Sequence, residues 1–179
     1  VGDGCLMEGI SHEAASLAGH LKLDRLVCVF DDNAITIDGS TSLSCSDDVA
    51  KRFASYGWNI MNLGEIADDC DALEDALLTA RANRGAPTLC ILKSHIGTPS
   101  PDFTDAHEAH GNPFTASHVS ATKKVMGIPD EPFWAPKDLV DAIRSHAANR
   151  GSSYTSSYAD DLNQIDERYL WDAAWTTPK

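Results

Sequence analysis

The chain has 179 residues, with 14 basic and 27 acidic side chains, so its formal net charge is −13. This length is enough for one domain with a sizeable core. The acidity argues against nucleic acid or an anionic membrane surface as the main partner, because phosphate groups select for basic surfaces. The longest wholly apolar run is far too short to cross a bilayer, which argues against a membrane-spanning protein.

The first predicted elements follow a glycine-rich turn at residues 2–4. An alanine-rich helix is predicted over residues 8–21, with four apolar side chains on one face: Ile10, Ala14, Leu17 and Leu21. Continuous apolar runs at residues 26–30 and 88–92 are typical of parallel strands buried on both faces. Residues 58–63 alternate in polarity, so we expect a third strand there, nearer an edge of the sheet.

Helices are predicted between and after these strands, over residues 47–55, 69–83, 116–126, 137–149 and 160–175. The alternation of helix and strand predicts an α/β fold with a doubly wound, mostly parallel sheet. Residues 95–114 are rich in glycine and proline, which indicates a long shaped loop that serves a site. We expect residues 1–150 to form one domain segment and residues 151–179 to be a linker and a terminal helix.

The five cysteines are odd in number and contain no Cys-x-x-Cys pair. This usage indicates free thiols in a reducing compartment, and we therefore expect a cytoplasmic protein. Cys28 and Cys90 lie in apolar runs and are expected to act as small buried hydrophobic residues.

The most informative motif is Gly2-Asp3-Gly4, which is followed by a helix, a strand and then Asp31-Asp32-Asn33. Glycines in a turn before a helix let backbone N–H groups approach a phosphate closely. A carboxylate between them and an amide oxygen at the end of the next strand are suitable ligands for Mg²⁺. Alternatively, the first motif is only a turn and the second only the end of a strand. The two together at this spacing favour a metal–diphosphate site.

Gly2-Asp3-Gly4 with the downstream Asn33 resembles the thiamine-diphosphate motif. The longer runs at residues 2–11, 13–23 and 31–39 are similar to the transketolase family in particular. Shorter matches follow at residues 48–53, 56–58, 87–89, 96–97 and 110–113, so the resemblance covers residues 2 to about 150. It implies a thiamine-diphosphate-binding fold that is incomplete at its N-terminus, with Val1 as the last residue of a core strand.

The resemblance also implies roles for individual residues. Asp3 and Asn33 would bind Mg²⁺ or Ca²⁺ through their side chains, and Ile35 through its backbone carbonyl. The remaining residues would contact the cofactor: Gly4 through its N–H on the diphosphate, Asn33 at the diphosphate, Ile37 through apolar packing, and His110 near the diphosphate and the substrate hydroxyl. His110 would assist proton transfer and is the predicted catalytic residue.

Other polar residues have weaker assignments. Glu8 resembles a family glutamate near the subunit interface that would communicate with a second active site, although it could simply favour a helix N-terminus. His107 and His110 could instead form part of a zinc site, but a third ligand is missing. His95 is expected to be structural.

The family reaction transfers a two-carbon ketol unit from a ketose phosphate to an aldose phosphate, which implies sugar-phosphate substrates of the pentose phosphate pathway. The resemblance also implies a homodimer in the full-length form and a pyrimidine-binding domain or subunit, which nothing in this chain resembles. We therefore expect a fragment, or one part of a split enzyme, that is inactive alone. The alternatives are deoxyxylulose-phosphate synthase, a pyruvate dehydrogenase-type subunit and a non-catalytic partner subunit.

Overall fold

The computed structural model of the chain describes residues 1–164, with side-chain surroundings for residues 1–152. The described residues divide into two compact units, the first covering Val1–Asp130 and the second beginning at Glu131. In the first unit the elements are α1 (Asp3–Met7), α2 (Gly9–His20), β1 (Val27–Asp32), β2 (Ile35–Thr36), β3 (Gly39–Ser40), α3 (Val49–Ser55), β4 (Asn59–Gly64), α4 (Cys70–Ala82), β5 (Thr88–Lys93) and α5 (Ala116–Met126). Short 3₁₀ turns cover Thr41–Leu43 and His107–His110.

The main sheet is parallel and has the strand order β1-β5-β4, with β5 in the centre. This confirms the predicted α/β fold with a parallel sheet, and β4 lies at an edge as its alternating sequence indicates. Asp32 at the end of β1 is in register with Lys93 at the end of β5. The polar residues that follow these two strands therefore meet at one edge of the sheet.

The N-terminal residues lie beside β1 as a short parallel extension of the sheet. Gly2 forms a bridge to Asp31, and the Asp31 N–H donates to the Val1 carbonyl at 2.8 Å. The position of Val1 at the end of a core strand stays a prediction. The pairing of Gly2 with Asp31 places the glycine-rich turn directly next to the carboxyl end of β1.

The core of the first unit lies between the sheet and helices α2 and α3. Its buried members are Leu6, Ala15, Ala18, Phe30, Phe53, Trp58, Leu89 and Ile91. The Phe53 and Trp58 rings meet edge to face with their centroids 5.0 Å apart, and the Trp58 indole N–H donates to the Ala15 carbonyl at 2.8 Å. These contacts hold α2 and α3 against each other.

Helix α2 buries a different face from the one its larger apolar residues indicate. Its buried residues are Ala15, Ala18 and Gly19, whereas Ile10 and Leu17 are 67% and 57% exposed. The apolar face formed by Ile10, Ala14, Leu17 and Leu21 is therefore not the face that is buried among the described residues. Small residues are buried because the helix backbone packs directly against the Tyr56 backbone at Gly19.

Two local features near the turn were not predicted. Residues 3–7 form a separate short helix, α1, which ends at Glu8 because that residue has an extended backbone conformation (ψ 137°). Strands β2 and β3 pair as an antiparallel hairpin of two residues each. Both are too short to produce a periodic sequence pattern.

The second unit contains α6, which runs from Lys137 to Gln164. The helix therefore continues through Gly151, where a linker is predicted, and that part of the prediction differs from the structure. Most of the predicted terminal helix, from residue 165 onward, lies outside the described residues. None of the helices described is both long and apolar enough to cross a membrane.

All five cysteines are free in the described structure, as predicted. Cys90 is fully buried in the central strand, whereas Cys28 is half-buried in β1. Burial raises the pKa of both thiols, because removal from water disfavours the thiolate.

Candidate metal and diphosphate site

The candidate site lies where the carboxyl ends of β1 and β5 meet the start of α1. Asp3 is the first residue of α1, and Asn33 follows β1 directly. Pairing of Gly2 with Asp31 brings these two segments together. The structure thus places Asp3 beside Asn33, as the motif predicts.

The Asp3 carboxylate is partly buried and only partly satisfied. It accepts backbone N–H groups of Asn33 and Ala34, yet Oδ2 is buried without a hydrogen-bond partner among the described residues. Burial, followed by the nearby charge of Asp32, raises the pKa of Asp3 above its usual 3.8, although the backbone hydrogen bonds partly oppose this. A bound cation would remove the cost of holding this carboxylate ionised.

The side chain of Asn33 is held in one orientation by its neighbours. Its Nδ2 donates to Asp31 Oδ2 at 3.2 Å, and its Oδ1 accepts the Ile35 N–H at 3.0 Å. The other oxygen of Asp31 accepts the Ser94 hydroxyl, which comes from the end of β5. Asn33 Oδ1 retains a second lone pair, so a metal ligand role is compatible with these contacts.

The backbone between Asn33 and Ile35 is strained. Ala34 has φ +61°, a left-handed conformation that is uncommon for residues other than glycine and asparagine. Its N–H donates to Asp3 and its carbonyl accepts the Thr41 N–H at 3.0 Å. These two contacts hold the strained residue, and strain of this kind is concentrated at functional sites.

A cleft of about 470 Å³ brings together four of the residues assigned by sequence: Gly4, Glu8, Ile37 and His110. Ile37 is 69% exposed, and the turn with His110 lies against β2. A side chain added to Gly4 would meet no described atom within 4 Å, so packing within this chain does not require a glycine there. Asp3 lines a separate cavity of about 290 Å³, and Asn33 and Ile35 line neither.

Sequence reasoning missed the polar residues that support this site. Lys93 Nζ lies 2.8 Å from Asp32 Oδ2, and this ion pair raises the pKa of Lys93. Asp31 and Ser94 fix the Asn33 amide as described above. The positions of these residues at the ends of β1 and β5 could have predicted their role, because side chains at the carboxyl ends of parallel strands meet at the ligand-binding edge of an α/β sheet.

The zinc alternative finds no support in the described part of the chain. No group of three or more His, Cys, Asp and Glu side chains is arranged there to hold a metal. His107 Nδ1 instead lies 3.3 Å from the carboxylate of its neighbour Glu108. The Asp3–Asn33 arrangement differs in kind, because it would use an amide and a backbone oxygen.

His95 has a local partner in the long loop after β5. Its Nδ1 lies 2.9 Å and 3.0 Å from the two Asp105 oxygens, and this hydrogen bond and charge raise the pKa of His95 above 6.5. The pair therefore stabilises the loop below pH 6.5, and this contribution is lost as the pH rises through the raised pKa.

Replacing Asp105 by asparagine is expected to lower the pKa of His95 toward 6.5, because the attracting charge is removed. Titration of the His95 ring protons by NMR measures this change. Asp102→Asn, in the same exposed loop, is the matched control and leaves the value unchanged. An unchanged His95 pKa in Asp105→Asn contradicts the pairing.

Comparison with known proteins identifies the class of domain. Residues 1–176 match the family model of the transketolase thiamine diphosphate-binding domain. The chain is thus a thiamine diphosphate-binding domain segment with an α/β fold. The chain belongs to the transketolase family. This match favours transketolase over the deoxyxylulose-phosphate synthase and pyruvate dehydrogenase alternatives.

Individual relatives agree with the family assignment. A chromosomal transketolase of Cupriavidus necator is 43% identical over 164 residues, which cover 88% of this chain and 24% of the relative. A probable transketolase of Schizosaccharomyces pombe is 40% identical over 177 residues, covering 93% of this chain and 26% of the relative. The chain thus spans about a quarter of the length of these relatives.

Solved transketolases have the same fold as this chain. The Pichia stipitis enzyme, in complex with sedoheptulose 7-phosphate, superposes with a TM-score of 0.80 at 38% identity, covering 87% of this chain and 23% of that one. The Leishmania mexicana enzyme gives 0.81 at 30% identity, covering 96% and 25%. These relatives are transferases.

Proposed function

We propose that this chain supplies the metal- and diphosphate-binding part of a transketolase active site. The observation that carries the proposal is the buried Asp3 Oδ2 beside Asn33, which has no hydrogen-bond partner among the described residues. A carboxylate oxygen held out of water without a donor is costly unless a cation or proton meets it. In the proposed site, Asp3 and Asn33 hold Mg²⁺ or Ca²⁺ through their side chains and Ile35 contributes its backbone carbonyl.

The glycine of the turn supports the same proposal. Gly4 has open space where a side chain would project, and it lines the cleft with Ile37 and His110. The open space beside Gly4 leaves its backbone accessible to an external group such as a phosphate. We assign the Gly4 N–H to the cofactor diphosphate and the exposed Ile37 side chain to apolar contact with the cofactor.

Thiamine diphosphate, when bound, supplies the carbanion and electron sink for ketol transfer. The chain supplies orientation and charge compensation: Asp3 and Asn33 fix the metal, and Asn33 also contacts the diphosphate. His110, exposed on its 3₁₀ turn beside β2, is assigned to proton transfer at the substrate hydroxyl, because an imidazole ring can both accept and donate a proton. Glu8 shares the cleft with His110 and is assigned to communication with a second active site.

The remaining parts of the activity are proposed for the longer protein. Its substrates would be ketose and aldose phosphates of the pentose phosphate pathway in the cytoplasm, and its active form would be a homodimer. A pyrimidine-binding domain or subunit would complete each site, with residues 1–150 as the C-terminal part of the diphosphate-binding domain. Residues 151–179 would lead toward a further domain. This chain alone is therefore expected to be inactive.

Calorimetric titration of thiamine diphosphate into the purified chain, with and without Mg²⁺, tests the local site. We expect binding only when Mg²⁺ is present, because Asp3 and a diphosphate would repel each other without it. Binding of equal strength without a divalent cation contradicts the proposal.

A second experiment tests the need for a pyrimidine-binding domain. Ketol transfer is assayed with the chain alone and with a separately produced pyrimidine-binding domain. Activity of the chain alone would overturn the proposed division of the active site.

A further inference from the structure

Three polar side chains form a cluster that contacts α1, the short helix that begins within the glycine-rich turn. It consists of Arg52 on α3, His12 on α2 and Tyr56 after α3, and we call it the Arg52 cluster. Arg52 Nη1 donates to His12 Nε2 at 3.1 Å, and His12 Nδ1 lies 3.1 Å from the Tyr56 hydroxyl. The same Nη1 donates to the backbone carbonyl of Leu6 at 3.0 Å.

The chemistry of the donors fixes the protonation of His12. A guanidinium group has only donors, so His12 Nε2 must be unprotonated to accept from it. The ring proton then lies on Nδ1 and is donated to the Tyr56 hydroxyl. His12 is therefore a neutral acceptor that holds Arg52 Nη1 in place beside Leu6.

Arg52 is strongly buried for a charged side chain. Its side chain is 11% exposed, with the guanidinium 5.3 Å from the centroid of the Phe53 ring. Asp47 is its carboxylate neighbour at 3.6 Å, while Nε and Nη2 are buried without hydrogen-bond partners among the described residues. Burying a guanidinium with unpaired N–H groups lowers the free energy of unfolding. The presence of Arg52 here despite that loss indicates that its hydrogen bond to Leu6 helps to position α1.

The hydrogen bond from Arg52 to Leu6 is important because the position of α1 depends on contacts with the rest of the chain. A helix of five residues is far below the length at which a helix is stable alone. One end of α1 is fixed through Asp3 and the backbone beyond β1. The other end is fixed at Leu6, whose side chain is buried and whose carbonyl accepts both Arg52 and the Ser11 hydroxyl, the latter at 2.8 Å.

We propose that Arg52 is a positioning residue that fixes α1 through the Leu6 carbonyl and thereby sets the position of Asp3 and Gly4, with neutral His12 and Tyr56 holding Arg52. Arg52 itself contacts neither metal nor cofactor in this assignment. Its effect on cofactor affinity rests on the proposed function, whereas its effect on α1 does not.

Arg52→Met tests the proposal, with Lys51→Met as the matched control. Lys51 is the preceding residue on α3 and carries the same charge, but its side chain is 86% exposed and pairs only with Asp48 in the contacts described. Hydrogen exchange of the whole chain is compared in the segment 3–8 and in β5. We expect exchange in residues 3–8 to accelerate about tenfold or more in Arg52→Met, with β5 unchanged.

Cofactor affinity is the second measurement on the same proteins. We expect the Kd for thiamine diphosphate with Mg²⁺ to rise about 10- to 100-fold in Arg52→Met and to stay unchanged in Lys51→Met. Arg52→Lys keeps one donor for Leu6 and is expected to restore part of the loss. A purely structural role would lower the free energy of unfolding without changing the Kd of the folded protein.

The outcomes separate the two proposals. If the parent chain fails to bind the cofactor, the proposed function fails, and exchange in residues 3–8 still decides the role of Arg52. Unchanged exchange in residues 3–8 of folded Arg52→Met overturns the positioning role.

If β5 also exchanges faster in Arg52→Met, the substitution has destabilised the whole first unit. Two His12 variants then test the positioning role of Arg52. His12→Gln keeps an acceptor for Arg52 and retains slow exchange, whereas His12→Phe accelerates exchange in residues 3–8. Equal exchange in the two variants overturns the proposal.

Discussion

Asp3→Asn is expected to weaken Mg²⁺-dependent binding of thiamine diphosphate by at least about 100-fold. A carboxylate and a cation 4 Å apart attract by about 4 kcal/mol at an effective dielectric constant of 20 per unit charge. Each 1.4 kcal/mol corresponds to about a tenfold change in Kd, and the remaining ligands reduce the net loss. Calorimetric titration with Mg²⁺ present measures the change.

The same substitution is expected not to lower the free energy of unfolding of the unliganded chain at neutral pH. The pKa of Asp3 is raised in the folded chain by burial and by Asp32. A raised pKa gives a stabilising contribution that is complete below 3.8 and is lost as the pH rises through the folded value. The ionised Asp3 carboxylate therefore lowers the free energy of unfolding near pH 7, and asparagine removes this unfavourable contribution.

The control for Asp3→Asn is Asp75→Asn, which removes an exposed carboxylate from α4 and is expected to leave Kd and stability unchanged. The stability difference between Asp3→Asn and the parent is followed as the pH falls. We expect the variant's advantage to shrink as the pH falls through the raised pKa of Asp3 and to be gone below pH 3.8, where the carboxyl is protonated in both the folded and the unfolded chain. Undiminished binding by Asp3→Asn would remove Asp3 from the metal site.

Gly19→Ala is expected to lower the free energy of unfolding by about 3 kcal/mol, at the upper end of the usual cost of overpacking. A Cβ at this position would lie 1.9 Å from the Tyr56 carbonyl oxygen and 3.3 Å from Trp58 Cδ1. The first of these atoms is backbone, so a side-chain rotation cannot relieve the overlap. Because α2 must shift away, the contact between His12 and Tyr56 is lost with it.

Gly9→Ala is the matched control, since it lies in the same helix and its added Cβ meets no described atom within 4 Å. Alanine is favoured over glycine in helices by about 1 kcal/mol, so Gly9→Ala is expected to be neutral or stabilising. Urea denaturation of both variants measures the difference. If Gly19→Ala were as stable as Gly9→Ala, the close approach of α2 to the Tyr56 backbone would be contradicted.

The strands were predictable because each is a continuous or alternating apolar run between turn signals. The run at residues 26–30 becomes β1, and the run at 88–92 becomes the central strand β5, buried along nearly its whole length. Apolar content was a poorer guide for α2, where burial follows backbone proximity at Gly19 and not the size of Ile10 or Leu17. Helix packing of this kind depends on the partner surface, which a single sequence does not display.

Sequence patterns were also a poor guide at residue 151. The Gly-Ser-rich stretch there has low intrinsic helix propensity, yet α6 continues through it to Gln164. Low helix propensity did not end the helix at residue 151, because extending a helix that has already formed costs less free energy than starting a new one.

The residue types and their spacing determined the parallel α/β fold and the pairing of Asp3 with Asn33, because both follow from local patterns and chain order. The sequence also carried the family assignment in residues 2–39. Only the tertiary structure decided the environment of those residues: the burial of an Asp3 oxygen away from any hydrogen-bond partner in the described part of the chain, the orientation of Asn33 by Asp31, and the contact of Arg52 with Leu6. These contacts join segments far apart in the chain, and their energetics depend on burial and approach, which exist only once the chain has folded.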